Sequence, residues 1–207
     1  TEVDLALARG IKVLKYFPAS VYGGIKGCSA LQGPYKSVGL KFIPTGGIDL
    51  NNLDEYSDKP FIHAIGGGWL SNSKDIAAGR FDAIRQTAEN SVKKLLGFEL
   101  AHVGINTDSV KEAQELAEAF ASVFDFTVKT GSNEFFAGSG IEALGYQGAG
   151  AKGHLAIRTN NIHRAIYYLE RKGYQVDMQR AKFTNGAMTI VYLQNEIGGF
   201  AIHLLQK

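Results

Sequence analysis

The chain has almost no cysteine. Cys28 is the single one among 207 residues, so no disulfide can form within the chain, and this usage fits a reducing compartment. No nucleophile motif surrounds Cys28, which is expected as a buried or helix-surface thiol. Charge of one sign is lacking too. The formal net charge is +2, which gives no electrostatic reason to invoke nucleic acid or an anionic membrane. The densest basic pairs, Lys93-Lys94 and Arg171-Lys172, read as solvated helix faces. No apolar run reaches the roughly 20 residues of a membrane helix, and no signal-peptide pattern opens the sequence. The absences predict a cytoplasmic protein with neither nucleic acid nor membrane as partner.

What is present suits a globular fold. Hydrophobic residues make up 45% and charged residues 20%, ordinary for a soluble protein, and the length allows one or two domains with a real core. Up to Gly97, strands alternate with helices. A short helix over 3–9 closes at Gly10. Strands are expected at 11–17, 40–43 and 61–65, with helices at 25–31 (broken by Gly33-Pro34), 51–56 and 75–96. The last carries Ile76, Phe81, Ile84, Ala88, Val92 and Leu95 on one stripe. This order implies parallel βαβ units. The first strand, Lys12-Val13-Leu14-Lys15-Tyr16-Phe17-Pro18-Ala19, ends near a lysine. A buried lysine is costly because burial disfavours its charged form, and that cost is useful where a neutral amine must attack a carbonyl.

After Gly97 the pattern changes. A strand at 100–106 precedes a helix over 109–123, with Asp108 expected as its N-cap. Strands at 124–130 and 134–144 flank the turn Gly131-Ser132-Asn133. The order then repeats. His154-Leu155-Ala156-Ile157-Arg158 echoes His102-Val103-Gly104-Ile105-Asn106, a helix spans 162–172, and strands follow at 174–180, 187–193 and 199–205. A repeat of strand, helix and strand meander organises this half.

Two resemblances follow. K-Y-F-P-A at 15–19, P-T-G-G-I at 44–48 and I-G-G-G at 65–68 resemble the C-terminal part of the 2-keto-3-deoxy-6-phosphogluconate / 4-hydroxy-2-oxoglutarate aldolases, over residues 1–97. These are class I aldolases, lyases on a (β/α)8 barrel that need no cofactor. The resemblance implies the last three βα units of that barrel. It makes Lys15 the Schiff-base former and puts Phe17 beside the substrate. Thr45, Gly46, Gly47, Gly66 and Gly67 become a phosphate or carboxylate cradle. Gly68 stands where the family often has serine. Lys15 could also be only a rim lysine, and the glycines plain turns; Lys12 and Lys41 are expected in solvent. The family's catalytic glutamate and substrate-binding arginine lie in the barrel's first half, to which no segment here corresponds. The chain is therefore expected to be a fragment, or a partial barrel paired with other chains in a homo-oligomer, and inactive by itself.

Residues 98–207 resemble the vicinal-oxygen-chelate superfamily, which includes glyoxalase I, extradiol dioxygenases and methylmalonyl-CoA epimerase. The resemblance implies an α+β domain of two βαβββ modules around a cup. It makes His102, Glu142, His154 and His203 candidate ligands of a divalent metal, with Zn, Fe, Ni or Mn suited to imidazole and carboxylate. A lone histidine on an apolar strand is more often a core residue, and members without metal exist. His63 and His163 are expected outside the site. Arg158, if it enters the cup, would make an anion binder instead. Three functions are in play: cleavage of a keto acid to pyruvate and an aldehyde, metal-dependent chemistry on a small oxygenated substrate, and non-catalytic binding of a small ligand.

Overall fold

Thr1 starts the first helix with a capping box: its hydroxyl accepts from the Asp4 N–H while the Asp4 carboxylate takes up the Thr1 amine. This opens α1 (Glu2–Leu7) in the computed structural model, which describes residues 1–207. The chain forms two compact units, Thr1–Gly97 and Phe98–Lys207. No helix is long and apolar enough to cross a membrane.

In the first unit β1 (Val13–Tyr16) and β2 (Lys41–Pro44) pair in parallel, Lys15 opposite Ile43 and Tyr16 opposite Pro44. Between them run α2 (Gly24–Gln32) and a 3-10 helix (Gly33–Val38), so the α-helix ends at Gly33-Pro34 as expected and the chain goes on in 3-10 form. The expected third strand, 61–65, is only bridged to β2, Ile62 to Phe42 and Gly66 to Thr45, both in parallel sense. The ladder is too sparse for a regular strand because no further strand lies beyond it. The first sheet therefore has two strands, and no barrel closes. Alternation puts Leu14, Tyr16 and Phe42 on the face packed against the helices. Val13, Lys15 and Lys41 are exposed on the other face. Phe42, 1% exposed, is the keystone of this core, with Tyr16 edge-on at 6.0 Å. Phe42→Ala is expected to cost about 3–5 kcal/mol, read as a lowered denaturant midpoint.

After β2 come α3 (Asp54–Ser57), α4 (Ser73–Ala77) and α5 (Phe81–Leu96). The single helix expected over 75–96 is broken, because Gly79 takes φ +63 and Asn72 caps a separate short helix. Ile76 and Phe81 are consequently exposed, while Ser91 and Leu96 are buried. Gly97 ends α5 in the left-handed conformation, as glycine readily does.

The second unit follows β3 (Glu99–Asn106), α6 (Val110–Phe124), β4 (Val128–Thr130), β5 (Glu134–Ala137) and β6 (Ile141–Leu144). It then repeats as β7 (His154–Thr159), α7 (Ile162–Glu170), β8 (Val176–Thr184), β9 (Ala187–Leu193) and β10 (Ala201–Gln206). The strands form one sheet ordered β4-β5-β6-β3-β7-β10-β9-β8. β3 and β7 are antiparallel at its centre, and each pairs in parallel with the last strand of its own module. The order reads the same from both ends, so the two βαβββ modules are related by a pseudo-twofold. Two expectations are corrected. Ser109, not Asp108, caps α6, since Glu112 stands three residues on and its N–H reaches the Ser109 hydroxyl. The run 134–144 is a hairpin rather than one strand, turning where Gly138 takes φ +62.

Candidate functional site

Lys15 stands one residue before the C-terminal end of β1. Just beyond it the Tyr16 carbonyl accepts from the Thr45 N–H at 2.9 Å, the Thr45 carbonyl from Ala19 at 2.8 Å, and the Gly46 carbonyl from Ser20 at 3.1 Å. The Gly66 N–H donates to the Pro44 carbonyl at 3.1 Å. These bonds gather Lys15, Phe17, Thr45, Gly46, Gly47, Gly66 and Gly67 at one end of the sheet. The Lys15 amine sits 4.8 Å from the Phe17 ring centre. The glycines are required by close approach. A Cβ on Gly47 would fall 2.1 Å from the Ser20 hydroxyl, and one on Gly66 would fall 2.9 Å from the Thr45 methyl. Gly46 and Gly47 also take φ +90 and +74. A side chain at Gly68 would meet nothing within 4 Å. The Thr45 hydroxyl oxygen is buried without a hydrogen-bond partner.

Burial of Lys15, the cost argued from its strand, is not found. Lys15 is exposed, as are Lys12 and Lys41, because nothing covers that face of two strands. Glu2 is the one acidic residue lining the same groove as Lys15.

In the second unit the four expected side chains converge. β3 supplies His102, β7 His154 and β10 His203; β6 supplies Glu142. The His102 and His154 Nε2 atoms are 3.1 Å apart, and Glu142 Oε2 lies 3.2 Å from the first and 2.9 Å from the second. The three histidines offer ring nitrogens within 4.8 Å of one another. His154 is 5% and His203 3% exposed. Both His203 nitrogens are buried without a hydrogen-bond partner. Burial, with the charges of His154 and His102, pushes His203 down to about 3, so the ring is neutral with a free lone pair. Burial acts to raise Glu142, but hydrogen bonds and charge from His102 and His154 prevail and hold it at about 2. The group is thus a carboxylate among imidazoles with an orphaned nitrogen. A cation about 2.0–2.2 Å from each donor keeps its ligands about 3–3.5 Å apart, close to the three spacings between His102, His154 and Glu142, so the residues fit a divalent metal.

His63 and His163 are exposed and outside the cluster. Arg158 does not line the cup and pairs across the strands with Glu99. The surrounding contacts carry no signature in the sequence. Phe136 meets His102 edge-on at 5.7 Å. Tyr192 lies 4.9 Å from His203, and the Arg180 guanidinium stands 3.9 Å over the Tyr192 ring. A Cβ on Gly104 would fall 2.0 Å from the His154 ring, so the H-V-G opening of the repeat makes room for the second repeat's histidine. Gly104→Ala is expected to displace that ring and weaken metal retention by about tenfold to a hundredfold. Far-ultraviolet circular dichroism should stay unchanged. Full retention would show that the ring position is immaterial.

Residues 1–87 match the family model of KDPG and KHG aldolase. The 2-dehydro-3-deoxy-phosphogluconate aldolase of Treponema pallidum (strain Nichols) is 44% identical over 93 residues, 45% of this chain and 43% of that protein. The KHG/KDPG aldolase of Escherichia coli (strain K12) is 37% identical over 93 residues, with the same shares. This chain therefore spans less than half the length of these curated relatives. Among solved structures, a methylmalonyl-CoA epimerase covers 52% of this chain and 93% of its own at 16% identity, with a TM-score of 0.38.

Proposed function

We propose that this chain carries the imine-forming part of a class I keto-acid aldolase, as the last three βα units of a (β/α)8 barrel over residues 1–97. The observation that supports this most directly is that Lys15 and the Thr45–Gly47 and Gly66–Gly67 turns share one end of the sheet, in a segment matching aldolases. The substrate would be 4-hydroxy-2-oxoglutarate or 2-keto-3-deoxy-6-phosphogluconate. The Lys15 amine attacks the C2 ketone and water leaves. The iminium then draws the C3–C4 electron pair as the C4 hydroxyl loses its proton, which releases the aldehyde. The enamine takes a proton at C3, and hydrolysis frees pyruvate and the amine. Phe17 flanks the reacting carbons. The Thr45 hydroxyl and the N–H groups of Gly46, Gly47 and Gly67 hold the carboxylate or phosphate, while the Gly66 N–H stays bound to the Pro44 carbonyl. The exposed Lys15 face fits a protein that works in a homo-oligomer, and the single free thiol of Cys28 fits the cytoplasm. Borohydride reduction in the presence of pyruvate should add one pyruvate-derived group to wild type and none to Lys15→Ala.

A specific observation favours a second reading for residues 98–207, a vicinal-oxygen-chelate domain. The His102, Glu142, His154 and His203 donor set would hold Zn, Fe, Ni or Mn. A cation there supplies a Lewis acid for ligand oxygens. The histidines must be neutral to serve, and the buried cup keeps His203 so. Elemental analysis after dialysis tests it. Trace metal only would leave a non-catalytic ligand-binding cup.

A further inference from the structure

We propose that the cup of the second unit takes a short hydroxy- or oxo-dicarboxylate, one end at the histidine cluster and the distal carboxylate held by Arg180 and Lys182. The cup has a volume of about 560 Å³. Its floor is the cluster; one wall is β8, which contributes both cations. No acidic side chain is ion-paired with Arg180 or Lys182. Arg180 is instead fixed over Tyr192, whose ring leans on His203. Contacts of 3.9 and 4.9 Å bound the guanidinium-to-His203 separation at about 9 Å. Lys182 lines the same cup as His203. The acidic lining residues, Glu134 and Glu142, come from β5 and β6, on the far side of the sheet. The field across the cup therefore turns an anionic end toward β8.

That bound caps the ligand's length. An extended chain of four or five carbons spans about 4–5 Å between its carboxyl carbons, and contacts of about 2–3 Å at each end bridge the rest. A monocarboxylate bound at the cluster would leave both cations unpaired. The inference rests on the cation reading of the cluster for the near end alone. The 4-hydroxy-2-oxoglutarate proposed for the first unit belongs to this ligand class.

Calorimetry of the full chain, supplied with Mn²⁺, tests this with 2-hydroxyglutarate against 2-hydroxypentanoate. The two share a chelating end, and neither has a ketone to form an imine with Lys15. Wild type should bind the dicarboxylate about tenfold or more tightly. Arg180→Gln and Lys182→Gln should each erode the preference, and the double variant should abolish it. Both residues are exposed, so the fold should survive, and Arg180→Lys should retain part of the preference. Equal affinities in wild type, no binding of either acid, or a preference that persists in the double variant would overturn the inference. Metal retained by the Mn²⁺-loaded protein after dialysis separates the two readings. Metal without preference sinks the dicarboxylate alone, and a preference dependent on Arg180 without metal sinks the cation reading alone.

Discussion

Replacing His154 by alanine is expected to strip the second unit of stoichiometric metal. His154 is the hub of the cluster, with Nε2 2.9 Å from Glu142 and 3.1 Å from His102. Its loss removes one donor and frees Glu142 from one of its two imidazole partners. The expected fall in affinity is on the order of a hundredfold or more, above the range for residues that merely orient a ligand. His102→Ala should behave alike. His63→Ala and His163→Ala should retain wild-type metal, since both rings are exposed and outside the cluster. Elemental analysis after dialysis against a metal-free buffer measures all four. Equal metal in wild type and His154→Ala would remove the cluster as a metal site.

The purified 207-residue chain is expected to release pyruvate from 4-hydroxy-2-oxoglutarate at least about a hundredfold to ten-thousandfold more slowly than the longer aldolase of Escherichia coli. That is the range positioned acid–base groups contribute. Glu2 is the one carboxylate lining the Lys15 groove. It sits on an exposed turn of α1, and no ion pair ties it to Lys15. The exposed amine also lacks the water-excluding wall that makes imine chemistry efficient. Pyruvate release near the relative's rate, and lost on Lys15→Ala, would contradict this.

The parts of the fold written in local pattern were legible. The duplication showed because His102-Val103-Gly104-Ile105 and His154-Leu155-Ala156-Ile157 occupy the same place in each module, and the same register brought the histidines to one face. The lysine and the Thr45–Gly47 turn were legible as strand ends, whereas the strand expected before Gly66 forms only isolated bridges. Burial of Lys15 was not, since it depends on what covers the sheet, and no local pattern encodes that. Asp108 and Ser109 are both good caps; the Glu112 N–H reaches the Ser109 hydroxyl, while the Glu112 carboxylate accepts from the Asp108 N–H. Arg180 and Lys182 were hidden for another reason. The β8–β9 register shifts between Asp177 and Lys182, and such a bulge breaks the alternation from which a face is read. Gly104 was quoted as part of a motif, but its closeness to His154 is a contact across 50 positions that only the folded sheet reveals.

Lys15, and no other amine, is expected to form the imine. Peptide mapping of the chain after reduction with borohydride in the presence of pyruvate tests it most directly. Lys12 and Lys41 serve as internal controls, being exposed lysines of the same sheet. The pyruvate-derived group should appear on Lys15, with Lys12 and Lys41 unmodified and no labelled peptide from Lys15→Ala. Label spread evenly over the exposed lysines, or unchanged in Lys15→Ala, would contradict it.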